Sequence, residues 1–64
     1  MNKKRLREIA VHVVNSKHGD FLRVFADAYQ RADRENEAIL RDAWIRLVLK
    51  YGLDAEYPEE KGES

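Results

Sequence analysis

The sequence predicts an all-α fold, a small three-helix bundle that pairs as a homodimer. Three observations carry this expectation. Apolar residues recur at intervals of three and four along three separate stretches. One Pro and three Gly leave little room for turns and favour long helices. A chain of 64 residues also buries only ~60% of the surface its unfolded form exposes, so a second copy is a ready source of the missing buried area.

The first helix is expected from about Lys3 to Asn15. Leu6, Ile9, Ala10, Val13 and Val14 share one face, with Arg7, Glu8, His12 and Asn15 on the other. The run "IAVHVV" is rich in β-branched residues, which favour strands. Helix is preferred because the chain offers no second strand to pair with it.

The linker "NSKHGD" follows. Gly19 can end the first helix through a positive φ, and Asp20 can cap the second with its carboxylate. The second helix is expected over about Phe21 to Arg31. Phe21, Val24, Phe25, Ala28, Tyr29 and Ala32 form its inner face, with Leu22 at the margin. This reads as a one-sided amphipathic helix.

At "ADREN", Asp33 stands where an N-cap belongs, and Glu35 and Glu37 lie in the first turn, where the helix dipole favours negative charge. The third helix is expected from about Arg34 to Lys50, with Gly52 as its stop. Ile39, Leu40, Ala43, Trp44, Leu47, Val48 and Tyr51 form a broad core-facing arc. Ala38, Ile45 and Leu49 stand ~120° or more from the centre of that arc, counting about 100° per residue.

This second stripe has two readings. A central helix that touches both neighbours needs a wide apolar arc. A continuous strip of Ala38, Ile45 and Leu49 also suits an isologous dimer interface. On the interface reading Ile45→Glu splits the dimer and leaves a folded monomer.

Residues 1–53 are expected to form a single helical domain. Residues 54–64 read as an acidic, disordered tail, with little to bury beyond Leu53 and Tyr57 and no order expected from about Pro58.

The charges are balanced in sum and segregated in sequence. Residues 1–18 hold Lys3, Lys4, Arg5, Arg7 and Lys17 against Glu8, a net of +4. The tail holds Asp54, Glu56, Glu59, Glu60 and Glu63 against Lys61, a net of −4. In a dimer, one chain's head could meet its partner's tail, although exposed pairs are individually weak.

The chemistry is mostly one of exclusion. There is no cysteine, so disulfides, thiolate metal sites and cysteine nucleophiles are out. Ser16 lies four residues after His12, yet no nucleophile elbow or third group accompanies them. His18 and Asp20, with His12 or Asp27, lack metal-ligand spacing. Asp27, Asp33, Glu35 and Glu37 read as a solvated face with i, i+4 pairs, Asp27 to Arg31 and Glu37 to Arg41. The glycines stand alone at positions 19, 52 and 62, so none cradles a phosphate. No enzyme, cofactor or metal is expected.

No run reaches the ~18 apolar residues of a membrane span, and the N-terminus lacks a signal-peptide core. A cytoplasmic location and no membrane partner are expected. Nucleic acid is the alternative partner. The second and third helices have the outline of a helix-turn-helix, but the third opens with Asp33, Glu35 and Glu37, which phosphates repel. The basic head, with Lys3, Lys4, Arg5 and Arg7, suits salt-sensitive, sequence-indifferent backbone contact better.

The stretch from Asp20 to Leu53 resembles small helical proteins of phage and prophage origin. The resemblance rests on an aromatic-rich helix (Phe21 to Tyr29), an Asp-x-Glu-Asn cap (Asp33 to Asn36) and a final Lys50–Tyr51. It covers about half the chain. It implies a mobile-element accessory or inhibitor protein, and no functional residue is carried over from it. The expected function is a non-enzymatic interaction module that binds another protein.

Overall fold

A computed structural model describes residues 1–59. Three substantial helices and one short turn make up the fold: α1 (Lys3–Val14), α2 (Asp20–Arg31), α3 (Arg34–Tyr51) and α4 (Leu53–Glu56). The all-α bundle is as expected, and no strand occurs among the described residues.

Each helix begins and ends for a local reason. Asn2 caps α1, its side-chain oxygen accepting from the Arg5 N–H at 2.8 Å. Val14 closes α1 one residue earlier than expected, and Asn15 is its C-cap, donating to the Val11 carbonyl from its backbone N–H at 3.3 Å and from its side-chain amide at 2.9 Å. Ser16 then accepts from the His18 N–H at 3.1 Å and donates to the Val13 carbonyl at 2.6 Å. Its hydroxyl serves the turn.

The start of α2 differs from expectation. Gly19 has φ −62° and occupies the N-cap itself, so it supplies no left-handed stop, and Asp20 is the first helical residue. The Asp20 carboxylate makes no cap; it stays in the first turn, where the dipole still favours it. Asp33 does cap α3, accepting from the Asn36 N–H at 2.8 Å. Gly52 ends α3 at φ 65°, the left-handed geometry that glycine adopts without a Cβ penalty.

The core is built from Leu6, Ile9, Ala10 and Val13 of α1, Leu22, Ala26 and Tyr29 of α2, Trp44 and Val48 of α3, and Leu53 of α4. α1 and α2 share the largest interface. The small side chains of Ala10 and Ala26, both fully buried, fit a close approach there. Trp44 is fully buried and donates its indole N–H to the Leu6 carbonyl at 3.1 Å, which ties α3 to α1.

The domain boundary also moves. The first residues assigned to the tail are folded, as α4, and Tyr57 packs half-buried against the core. Arg5 of α1 holds them, donating to the Asp54 carbonyl at 3.0 Å and the Tyr57 carbonyl at 2.5 Å. His12 stacks on the Tyr57 ring, 4.9 Å between centroids and 5° between planes. The remaining tail expectation falls on Pro58 and Glu59, which are exposed, and on residues 60–64, outside the described residues.

Candidate interaction surface

The apolar arc of α2 is wider than its neighbours can cover. Leu22, Ala26 and Tyr29, spaced i, i+4 and i+7, point into the core. Phe25 is half-buried and stacks on Trp44, with 5.7 Å between centroids and 17° between planes. Phe21 and Val24, expected inside, are 61% and 67% exposed, and Ala28 is exposed with them. These residues and Phe25 line one shallow apolar groove, with Asp20 at its end. The Phe21 ring lies 6.2 Å from that of Phe25, so an aromatic row runs from the surface to Trp44.

Periodicity locates the arc, but the neighbours decide which part of it is buried. α1 seats on the Leu22–Ala26 side, and Tyr29 is drawn inward by a polar partner. The rest of the arc is left facing water. The Leu22–Ala26–Tyr29 spacing was a readable signal for the buried edge, outweighed by the bulkier Phe21–Val24–Phe25 set.

A charged row flanks the groove. Asp20, Arg23, Asp27 and Arg31 run along the other side of Val24, paired Arg23–Asp20 at 3.8 Å and Arg31–Asp27 at 3.0 Å. Val24 also lines a second groove with Asp20, Arg23, Asp27 and Val14 of α1. Asp20 and Val24 thus line both grooves, and Val24 is the apolar one of the two.

The strip expected on α3 is interrupted. Ala38 is exposed and Leu49 is 60% exposed, but Ile45 between them is half-buried against the core. What remains is two separate ends. Ile39 and Ala43, expected inside, are exposed, and Ile39 is 71% so. The core-facing line of α3 runs instead through Glu37, Trp44 and Val48, with Leu40 and Leu47 half-buried.

Glu37 is buried, where the sequence places it on a solvated face. Its expected pairing with Arg41 is present, and the guanidinium donates twice, at 2.8 and 3.0 Å. The unforeseen partner is Tyr29, whose hydroxyl donates at 2.5 Å from eight residues away. Arg41 first and Tyr29 second hold the Glu37 carboxyl down to about 2 from 4.5. Burial, then the bond to Glu37, pushes the Tyr29 hydroxyl up to about 12. The network is saturated by its own members, and it braces the α2–α3 turn.

The basic head is divided. Lys3, Lys4 and Arg7 are exposed, with the Arg7 guanidinium 6.0 Å from the centre of the Tyr29 ring. Arg5 is committed to the tail carbonyls. Head meets tail within one chain, through Arg5 and through His18, whose Nε2 lies 3.1 Å from Glu56. No three His, Asp or Glu side chains among the described residues gather as a metal-ligand set. Among those residues no helix is long and apolar enough to cross a membrane. No family model, curated protein or solved structure matches the chain.

Proposed function

We propose that the chain is a small cytoplasmic protein-interaction module whose docking face is the exposed strip of α2. The observation that supports this reading is the exposure of Phe21 and Val24, both above 60%, in one groove with Phe25 and Ala28. Contiguous apolar surface on a small domain is a common mark of a protein partner. The work is binding, and an adaptor or inhibitor role is the form it takes. The test is a photo-cross-linking side chain placed at position 24, with position 35 on the exposed start of α3 as control. Cross-linking to protein at 24 and not at 35 supports the reading; equal yields at both, or none, reject it.

Nucleic-acid binding is the second reading, supported by the exposed Lys3, Lys4 and Arg7 on the first turns of α1. With Arg5 engaged in the fold, three cations carry it. A gel shift with duplex DNA at low and high salt decides: absence of a complex at low salt rejects it.

A further inference from the structure

The row of charges beside the α2 strip identifies what covers it. Asp20, Arg23, Asp27 and Arg31 alternate in sign at spacings of three and four, which keeps them on one flank. The row starts acidic and ends basic. Read backwards, it is its own complement.

We infer that the occupant is a second copy of this chain, α2 against α2 and antiparallel. The inference rests on the docking reading of the strip and names its partner. Consider a two-fold axis perpendicular to both helices, passing between Phe25 and Ala26. The charged flank of one copy then lies beside the charged flank of the other and runs the opposite way. Asp20 faces the partner's Arg31. Arg23 comes within one residue of directly facing the partner's Asp27. In the same register Phe21 reaches the partner's Ala28, and the two copies of Val24 sit on either side of the axis. A parallel pairing instead sets the charged flank of one copy against the apolar flank of the other. Complementary charge gives direction and register, and the apolar strip gives the buried surface.

The area sets the strength. The twelve residues of α2 make a rod about 18 Å long. One face of such a rod buries less than the ~800 Å² per partner of a standard interface. The dimer is therefore weak and concentration-dependent, and its population follows the level of the chain itself.

Sedimentation equilibrium of the purified chain from about 10 μM to about 1 mM reads this directly. The mass is expected to climb from near 7.5 kDa towards twice that value. Val24→Glu is expected to stay at the lower mass throughout, with unchanged helical circular dichroism, because Val24 lies outside the core. Phe21→Lys repeats the test at a second exposed site. Asp20→Arg and Arg31→Asp are each expected to weaken the dimer about three- to tenfold. The two changes together in one chain are expected to restore it to within about twofold. Residues 20 and 31 stand about 16 Å apart along the helix, too far to compensate within one chain.

Three outcomes overturn the inference: a monomer up to about 1 mM, a dimer that survives both Val24→Glu and Phe21→Lys, or charge exchange without restoration. A monomer that still cross-links to a different protein from position 24 removes the second copy and leaves the docking reading standing. Loss of cross-linking at 24 removes both.

Discussion

The Tyr29 hydroxyl donates to Glu37 at 2.5 Å across the turn that joins α2 to α3, and both side chains are buried. This is a charged acceptor in a core that comprises ten residues among those described, and it survives because Arg41 supplies two further donors.

The pair gives the protein a defined window of pH stability. The Glu37 carboxyl is lowered from 4.5 to about 2. Its stabilisation is complete above 4.5 and is lost as pH falls towards 2. The Tyr29 hydroxyl is raised from 10.0 to about 12. Its stabilisation is complete below 10 and is lost as pH rises towards 12. Thermal midpoints measured across pH should show both declines. Glu37→Gln should flatten the acid limb relative to wild type, and Tyr29→Phe the alkaline one. At neutral pH Tyr29→Phe should lower the midpoint by about 4–8 °C, the scale of one lost buried hydrogen bond in a domain this small. An acid limb unchanged in Glu37→Gln would show that other carboxylates control it.

Ile45 and Leu49 should part company on mutation. Ile45 packs against the core, so Ile45→Glu should cost about 1–3 kcal/mol of stability. Leu49 is 60% exposed, and Leu49→Glu should change stability by about 0.5 kcal/mol or less. Urea denaturation of the two variants measures the difference. Equal, small effects would return Ile45 to the surface.

Arg5→Ala should release α4 and leave α1 to α3 standing. It removes the guanidinium nitrogen, Nη2, that donates to both the Asp54 and the Tyr57 carbonyl. Amide exchange at Ala55, Glu56 and Tyr57 should quicken about tenfold or more, since each bond from a charged donor contributes about 1.5–3 kcal/mol. Amides of Ala26 and Val48 report the core and should slow or quicken far less.

Gly52→Ala should cost about 1–2 kcal/mol, because an L side chain resists φ +65°. Nothing lies within 4 Å of the added Cβ, so the cost is conformational and not steric against a neighbour. Gly19→Ala is the matched control. Gly19 has φ −62° and open space around it, so alanine there incurs no left-handed strain and should cost about 0.5–1 kcal/mol, for the weaker N-cap alone.

The sequence was most legible where the physics is local. Asp33 capping α3, Gly52 ending it, the inner face of α1 and the pairs Asp27–Arg31 and Glu37–Arg41 all involve residues within a few positions of one another. It was least legible where a choice depended on a distant neighbour. Phe21, Val24 and Tyr29 lie on one apolar arc, but Tyr29 alone has Glu37 and Trp44 to meet. Ile45 and Leu49 look alike in a helical wheel, yet only Ile45 touches the core. Arg5 reads as one more cation in "KKRLR" until the chain returns, 52 residues later, with two carbonyls to satisfy. Tail order was missed for the same reason: Asp54 to Tyr57 have little to bury by themselves, and their partners sit in α1.

The Arg5–Tyr57 bond also bears on how the molecule assembles. It closes a loop of 52 residues, nearly the whole described chain. The α1–α2 hairpin can form early, because its partners are near in sequence. The closing bond needs all three helices in place first, so it should form last. Loop-closure entropy grows only slowly with length, so this late step is not prohibitive. Once it is made, α1 and α4 are coupled: opening α4 strips Arg5 of its acceptors, and loosening α1 strips α4 of its donor. The first helix and the turn α4 thereby gain a mutual support that peripheral elements ordinarily lack.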